Sequence, residues 1–235
     1  FSKYMVEHID LVIPNKNEVE FIKVASKLKY DKLCFLYDSK SFKNAVKGIL
    51  DLQKTTKIKL NVGLIINKMN NVVNKSNLSV FDASYKSNAL IRKVFESRNV
   101  DLICNLELNN LKDHTHFVNS GFDQVLCKIA KKRNKIICFD FSQILLVKGK
   151  LRSRLLSRIM QNIKICKKYK VGTTIASFAK DPKQMRYYHD LIALLIVLKS
   201  DIKSAKKAVK IVCDKICENE FKKSKSYVTN GVSLN

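Results

Sequence analysis

Four segments in the second half of the chain alternate between strand and helix with short links between them. Residues 136–141 and 171–178 are β-branched and aromatic runs that are typical of buried strands. Residues 151–169 and 184–198 are helical segments that follow these strands. Strands that alternate with helices pair in parallel, because each helix returns the chain to the start of the next strand. The stretch therefore predicts an α/β fold built from βα units.

Five further strands precede this stretch, at residues 6–13, 33–37, 58–66, 78–83 and 100–106. Helices are predicted after a cap at Asn17, at 42–52, 89–97 and 122–133, and from a cap at Ser200 to Ile216. Since no eighth strand follows Leu198, we predict a TIM-like (β/α) barrel that is irregular or one strand short. Residues 1–220 are predicted to form this single domain, and residues 221–235 a polar, flexible tail.

The chain is strongly basic. Its 235 residues include 45 Lys and Arg against 20 Asp and Glu, a formal net charge of +25. Residues 1–147 hold 24 basic and 14 acidic side chains (net +10), and residues 148–235 hold 21 and 6 (net +15). Such an excess repels itself and suits a polyanionic partner. We expect nucleic acid or another anionic surface to bind mainly to the C-terminal part.

The helix predicted at residues 151–169 has an apolar stripe opposite a cationic face. The stripe comprises Leu151, Leu155, Ile159, Ile163 and Cys166, and the cationic face Arg154, Arg158, Lys164 and Lys168. No Asp or Glu occurs between Phe141 and Lys180, although a solvated helix normally interleaves both signs. The face is either an ordinary solvated surface or, as the missing acids favour, a surface for a polyanion.

Few residues suit catalysis or metal binding. The chain contains no GxGxxG, GxxxxGK[ST] or GxSxG motif, so the corresponding nucleotide loops and serine nucleophile elbow are absent. His114 and His116 form an HxH sequence, but four scattered histidines cannot build the multi-histidine cluster of a metal-dependent phosphoesterase. Asp10, Asp38 and Asp140 follow or lie in predicted strands. They are candidate active-site carboxylates, but loop capping and neutralisation of lysines are the favoured roles.

The cysteine pattern and the hydropathy indicate the compartment. Seven cysteines without a CxxC pair are typical of buried thiols in a reducing environment. The longest apolar run, residues 191–198, is too short to span a bilayer, and no signal-peptide segment opens the chain. We expect a soluble intracellular protein, cytoplasmic or, in a eukaryote, nuclear or nucleolar.

Several segments, in this order, resemble the ribonuclease P protein component 3 family, the barrel-fold protein subunits of archaeal and eukaryotic ribonuclease P. Residues 120–126 and the strand ending Asp140-Phe141-Ser142 resemble one family segment, and residues 152–171 resemble its Arg-containing helix. Residues 176–179 resemble the family strand that comes next, and the RxxxDLxAL sequence from Arg186 resembles the helix after that strand. Asn88 and Arg92 resemble an earlier family segment. The chain departs from the family pattern at two positions. Lys199 stands where the family usually has Gly, and Phe178 lies in the region of residues 176–179, where the family also has a Gly.

The resemblance implies a barrel of the metal-dependent phosphoesterase type without its metal site. It also implies a ribonuclease P protein subunit that binds and stabilises the catalytic RNA for 5′ maturation of precursor tRNA. Catalysis and Mg²⁺ would belong to the RNA, and the protein would have no catalytic residue, metal or cofactor of its own. The implied partners are ribonuclease P RNA, precursor tRNA and a small ferredoxin-like subunit, in a two-plus-two assembly, with no membrane.

Lys and Arg suit this role because contacts to phosphate are mostly electrostatic and independent of sequence. The predicted RNA-binding residues are Arg92, Arg152, Arg154, Arg158, Lys164, Lys168, Lys170, Lys180, Lys183 and Arg186. Two alternatives remain: a free-standing metal-dependent phosphoesterase of the same barrel type, and a general basic RNA-binding barrel.

Overall fold

Seven parallel strands follow one another in sequence order in a computed structural model, which describes residues 7–67, 76–109, 113, 118–223, 227–229 and 232–233. Every neighbouring pair is parallel, as the alternation of strands and helices predicts. The strands are β1 (Ile9–Val12), β2 (Lys32–Tyr37), β3 (Lys59–Ile66), β4 (Leu78–Asp82), β5 (Leu102–Cys104), β6 (Ile136–Asp140) and β7 (Gly172–Ala176). All seven predicted strands are confirmed, with ends that differ by a few residues.

Helices surround this sheet. They are α1 (Glu18–Lys27), α2 (Phe42–Gln53), α3 (Asn88–Glu96), α4 (Gln124–Lys132), α5 (Phe141–Leu146), α6 (Gly149–Tyr169), α7 (Tyr188–Val197), α8 (Ile202–Ala208) and α9 (Ile211–Lys222). Helix α5 was not predicted: Asp140 ends β6 and at once caps the helix by accepting a hydrogen bond from the Ser142 amide. The single helix predicted after residue 200 is two, and its cap is Asp201. The Thr174 hydroxyl donates to the Ala208 carbonyl (2.7 Å), which fixes the end of α8.

Alternate strand residues fill the barrel interior, because successive side chains of a strand point to opposite faces. Leu11, Leu36, Val80, Leu102 and Cys138 belong to one buried cluster, whereas their strand neighbours pack under the helices. Gly63 lies within this interior, where a Cβ atom would be 2.6 Å from the Leu36 Cδ2 atom. The side-chain alternation thus separates an inner core from an outer core.

Helix α9 closes the amino-terminal end of the barrel. Its Val212, Cys213 and Ile216 join the interior cluster. Asn219 donates to the Asn77 carbonyl (3.1 Å) and to Asp101 (3.0 Å), just before β4 and β5. The apolar face of α9 therefore has a partner, which a sequence pattern cannot identify.

In the place of an eighth strand, the segment after β7 forms backbone hydrogen bonds with β1. The Phe178 amide donates to the Leu11 carbonyl and the Ile13 amide to the Ala179 carbonyl, both at 2.9 Å. The buried Asp10 carboxylate accepts from the Ser177 amide at 2.8 Å. Within the described residues the result is a nearly closed TIM-like α/β barrel that is one strand short, as predicted.

The chain beyond residue 220 continues α9 to Lys222, two residues past the predicted domain limit. Strands β8 (Tyr227–Thr229) and β9 (Val232–Ser233) then form an antiparallel pair. The division at residue 220 stays a prediction. In the described part of the chain, no helix has the length and apolarity needed to cross a bilayer.

Phe178 and Lys199, where the chain departs from the family pattern, both have a left-handed backbone, with φ of 45° and 71°. Lys199 follows α7 in a Schellman turn, because the Ser200 amide donates to the Leu195 carbonyl and the Lys199 amide to the Ile196 carbonyl. Glycine adopts this conformation without the Cβ strain of other residues. The backbone thus explains why glycine would suit these positions.

Lys199→Gly is therefore expected to stabilise the protein by about 1 kcal/mol and to raise the melting temperature by roughly 2–4 °C. Lys206→Gly is the matched control, an exposed lysine inside α8, where glycine should cost about 1 kcal/mol. Calorimetric scans of both variants check the opposite signs. Two losses of equal size would mean that the Lys199 backbone is not strained.

Candidate nucleic-acid interface

Helix α6 carries five of the ten predicted RNA-binding residues and lies between β6 and β7. Its buried side includes Leu155, Ile159, Ile163 and Cys166, as the apolar stripe predicts. Lys164 and Lys168 are exposed, and the Arg154 side chain is half exposed, which confirms that these three lie on the outer face. Leu151 was wrongly assigned to the buried stripe: it is 62% exposed in the first turn of α6.

Arg158 is not on the outer face, and that part of the prediction is wrong. Its relative exposure is 3%. Its Nε and Nη2 atoms donate to Asp113 Oδ1 at 3.0 and 2.8 Å, and its Nη1 donates to the Glu107 carbonyl at 2.9 Å. The planar guanidinium suits such a fork of acceptors. Arg158 therefore fastens the chain after β5 to α6, and its guanidinium is not free to meet a phosphate.

Asp113 also shows that the cationic face of α6 is not without acids. Its carboxylate lies 3.5 Å from the Arg154 Nε atom. Burial opposes ionisation of Asp113, but the hydrogen bonds from Arg158 and from the Asn119 amide outweigh it and hold the pKa of Asp113 below its usual value. Asp201 likewise pairs with Lys167 at 3.4 Å. These acids come from outside the acid-free stretch, so the sequence of the helix could not reveal them.

Arg152 and Arg186 are largely used within the protein. Arg152 donates from Nε to the Val147 carbonyl at 2.7 Å, which fastens the chain after α5 to α6. Arg186 donates from Nη1 to the Lys183 and Met185 carbonyls at 3.0 and 2.8 Å. Its guanidinium carbon lies 5.6 Å from the centre of the Phe141 ring. Both residues have fixed guanidinium groups, with only part of their donors left for a ligand.

The remaining predicted cations are exposed but spread around the barrel. Lys170 lines a cleft of ≈ 520 Å³ near the start of β7 together with Lys131 and Lys207. Lys180 and Lys183 are exposed in the segment after β7. Arg92 is exposed on α3, where its Nε lies 3.2 Å from Glu96. The predicted residues thus occupy the half of the barrel from α3 to the start of α7, and the structure does not bring them into one patch.

Carboxylates stand at the carboxyl-terminal ends of the strands, where barrel enzymes place their chemistry. Asp38 accepts hydrogen bonds from the Ser41 amide (2.8 Å) and hydroxyl (2.5 Å) and so caps the turn that leads into α2. Asp140 accepts from the Ser142 amide at 2.8 Å and caps α5. The capping role favoured for these two residues is confirmed. Asp10 instead joins β1 to the segment after β7.

In the described part of the chain, no group of three or more His, Cys, Asp or Glu residues could hold a metal ion. His8 precedes β1, and its ring stacks on Tyr188 with 3.6 Å between the ring centres. His114 and His116 lie outside the described residues. The cysteines are all free thiols, and all except Cys217 are buried.

Glu107, which the sequence did not indicate, is a buried carboxyl group just after the carboxyl-terminal end of β5. It is 2% exposed, and its Oε2 atom has no hydrogen-bond partner. Burial, together with the charges of Asp140 and Asp82, raises the pKa of Glu107 to about 7. Only the three-dimensional contacts reveal this, since an acid in the sequence Leu-Glu-Leu has no distinguishing pattern.

Comparison with known families decides the classification. Residues 7–225 match the family model described as RNase P subunit p30. The chain belongs to this family. The resemblance of the sequence to a ribonuclease P barrel subunit is therefore confirmed.

Curated relatives of this chain are named Ribonuclease P protein component 3. The one from Methanocaldococcus jannaschii is 26% identical over 189 residues, which cover 76% of this chain and 78% of the relative. That from Methanococcus maripaludis (strain S2) is 24% identical over 224 residues, covering 95% and 87%. The likeness thus extends over at least three quarters of each chain in both comparisons.

Solved structures share the fold of this chain. A chain in a cryo-EM structure of archaeal ribonuclease P with mature tRNA superposes with a TM-score of 0.82 at 24% identity, covering 96% of this chain and 97% of that one. A Xaa-Pro dipeptidase has a TM-score of 0.58 at 6% identity, over 91% and 76% of the two chains. The barrel is therefore also similar to those of hydrolases.

Proposed function

We propose that this chain is a protein subunit of ribonuclease P that binds and stabilises the catalytic RNA during 5′ maturation of precursor tRNA. The observation that carries the proposal is the family match over residues 7–225. The relatives named Ribonuclease P protein component 3, which match 76% and 95% of this chain, support it. So does the excess of positive charge, which favours binding to RNA phosphates.

The chemistry of the reaction would then belong to the RNA, which would also bind the Mg²⁺ ions. Asp140 caps α5, Asp38 caps the turn before α2, and Asp10 joins β1 to the segment after β7. Carboxylates that hold the fold together in this way are poorly placed to serve as catalytic bases. This supports a division in which the protein shapes and neutralises the RNA without a catalytic residue or cofactor of its own.

The outer face of α6 is the proposed centre of RNA contact, with precursor tRNA close by. Lys164 and Lys168 are exposed and one helical turn apart. Among the described residues, no acidic side chain forms an ion pair with either ammonium group. Two such groups on one face can follow successive phosphates of an RNA backbone. Arg154, beside Asp113, extends this face towards the start of the helix.

Replacing Lys164 and Lys168 together by alanine should weaken binding to ribonuclease P RNA and flatten its salt dependence. Each lost phosphate contact should reduce the slope of log K against log salt concentration by roughly 0.7–0.9. The matched control is Lys43→Ala with Lys47→Ala, two exposed lysines with the same spacing on α2. Filter binding at several salt concentrations measures both slopes. Equal slopes for the two double variants would mean that only net charge matters and that α6 is not the RNA-binding face.

The proposal also includes a small ferredoxin-like protein partner, in a two-plus-two assembly. The compartment would follow the RNA: the cytoplasm, or the nucleus and nucleolus of a eukaryotic cell. These parts rest on the resemblance to the family alone. Size measurement of a co-expressed complex by light scattering checks the stoichiometry.

Identification of the RNA that co-purifies with the tagged chain tests the proposed function. Ribonuclease P RNA should be enriched over ribosomal RNA, and metal analysis should find no stoichiometric Zn or Mn. Recovery of ribosomal RNA alone would favour a general basic RNA-binding barrel. Stoichiometric metal with hydrolysis of model phosphoesters would favour a free-standing metal-dependent phosphoesterase.

A further inference from the structure

A cleft of ≈ 590 Å³ lies beside the outer face of α6. Its volume is within the range of about 300–1,000 Å³ that is typical of sites for small molecules or single chemical groups. One wall is segment 118–126, which leads into α4 and forms its first turn. The other walls come from α3 and α6, and their lining residues are Asn88, Ile91, Arg92, Gln161 and Ile165.

Each of the three walls contributes apolar side chains. Ile91 of α3 and Phe122 before α4 are buried, and Ile165 of α6 is partly buried. Val125, in the first turn of α4, is 46% exposed and therefore accessible to a ligand. Apolar walls on several sides favour a ligand that has apolar faces, because such a ligand leaves water when it enters.

Carboxamide groups line the same cleft. The Asn88 oxygen accepts a hydrogen bond from Asn109 Nδ2 at 3.5 Å, and the Gln124 oxygen accepts from the Tyr169 hydroxyl at 3.1 Å. These contacts orient the two amides and leave their N–H groups for a ligand. Gln161 is exposed, and within the described residues its side chain forms no hydrogen bond. The cleft therefore offers donors on two walls and both a donor and an acceptor on α6.

The interior of the cleft is nearly neutral. Among the described lining residues, Arg92 and Asp123 carry the charges, and the two have opposite signs. The Arg92 Nε atom lies 3.2 Å from Glu96, and Asp123 accepts a hydrogen bond from the Leu126 amide at 2.8 Å. A phosphate in the cleft would meet the Asp123 carboxylate without an unpaired cation to offset it. The cleft therefore suits a neutral polar group better than an anion.

Positive charge lies directly beside the cleft. Lys164 and Lys168 follow Gln161 by three and seven residues, so all three share one face of α6. With a rise of roughly 1.5 Å per residue, Lys164 is about 4.5 Å further along the helix than Gln161. A ligand whose neutral part occupies the cleft can thus place an attached anionic part on these lysines.

A nucleotide of single-stranded RNA has this division of properties. A nucleobase is neutral and planar, with apolar faces and an edge of hydrogen-bond donors and acceptors, which carboxamides recognise. Its phosphate is the anion that the lysines would meet. Double-stranded RNA does not fit, because its bases are paired and stacked. A purely apolar ligand would leave the carboxamides without hydrogen bonds. The neutral cleft beside two lysines therefore matches an unpaired base and its backbone.

We propose that this cleft binds an unpaired nucleobase of the RNA whose backbone crosses Lys164 and Lys168. The inference deepens the proposed function and rests on it. The faces of the base would contact Ile91, Val125 and Ile165, and its edge would meet the carboxamides. The contact would add a preference for single-stranded RNA to phosphate contacts that do not depend on sequence.

The test measures binding of the full chain to short single-stranded oligoribonucleotides. Each has one of the standard bases at a central position, and a matched oligonucleotide is abasic there. The wild type should bind its preferred base about ten-fold more tightly than the abasic position. Gln161→Ala should lower this preference at least about three-fold, because a hydrogen bond to the base is lost. Its salt slope should not change, since a carboxamide neutralises no phosphate.

Asn44→Ala is the matched control, an exposed carboxamide on α2 outside the cleft. This variant should keep the full preference for a base over the abasic position. Both substitutions are at exposed positions, so both proteins should keep the melting temperature of the wild type. A fluorescent adenine analogue, 2-aminopurine, at the central position gives a second reading. Its emission should rise on binding to the wild type, because the base leaves its stack in the strand, and should rise less with Gln161→Ala.

The other outcomes separate the inference from the proposed function. Equal binding of every oligonucleotide and the abasic one, with a slope that Lys164→Ala with Lys168→Ala flattens, would overturn the base site and leave the proposed function standing. If Gln161→Ala kept the full base preference but no longer assembled with other protein subunits, the cleft would belong to a protein contact instead. Absence of binding to any RNA, ribonuclease P RNA included, would contradict the proposed function and the inference with it.

Discussion

Replacing Arg158 by alanine should lower the free energy of unfolding by about 3 kcal/mol and the melting temperature by roughly 6–12 °C. The reason is the position of the guanidinium, which is 3% exposed and bonded to Asp113 and to the Glu107 carbonyl. Alanine would remove two hydrogen bonds to Asp113, leave the Glu107 carbonyl without its guanidinium donor, and open a cavity beside α6. Chemical denaturation measures the loss.

Arg154→Ala is the control for this change, because Arg154 is on the same helix and beside the same carboxylate but is half exposed. Its cost should be below about 1 kcal/mol, as for other exposed ion pairs. Arg158→Lys should recover only part of the stability, since an ammonium group lacks the planar fork. If Arg158→Ala kept full stability and lost RNA affinity, Arg158 would instead be a surface ligand for RNA.

The second large effect is a dependence of stability on pH that arises from Glu107. Its pKa is raised from 4.5 to about 7 in the folded protein. Between these two values the folded state holds a proton that the unfolded state has released. The contribution of Glu107 to the free energy of unfolding is therefore greatest below pH 4.5. It decreases by about 3 kcal/mol as the pH rises to about 7.

Glu107→Gln should remove this dependence, because the amide is neutral at every pH. The variant should be more stable than the wild type at pH 8 by about 3 kcal/mol and nearly equal to it at pH 4.5. Urea denaturation of both proteins across this range isolates Glu107 from Asp10, whose pKa is also raised, to about 6, by burial. A difference that does not vary with pH would show that Glu107 is ionised in the fold at no cost.

The sequence predicts the strands well because their signal is local. Each inner residue alternates with an outer one, and helical segments follow most of the strands, so parallel order and the absent eighth strand could both be inferred. The short α5 was missed because Asp140 is at once the last strand residue and a helix cap. The break between α8 and α9 was missed because it depends on the contact between Thr174 and Ala208.

The candidate site was less predictable, since the exposure of its side chains depends on contacts with residues that are distant in the sequence. The helical wheel places Arg158 with Arg154, but Asp113, 45 residues earlier, holds Arg158 in the interior. The same limit applies to Glu107, whose burial follows from packing at the barrel mouth. Lys164 and Lys168 were predicted correctly as exposed, because their spacing places them opposite the apolar stripe and, among the described residues, no distant partner buries them.

Reconstituted cleavage of precursor tRNA tests the central claim most directly. We predict that the chain alone cleaves nothing, and that the RNA with its protein subunits cleaves at moderate Mg²⁺ concentration. Omission of this chain should lower that rate, and Lys164→Ala with Lys168→Ala should lower it at higher salt. Cleavage by the chain without RNA, or a rate that does not change when the chain is omitted, would contradict its role as an RNA-binding subunit.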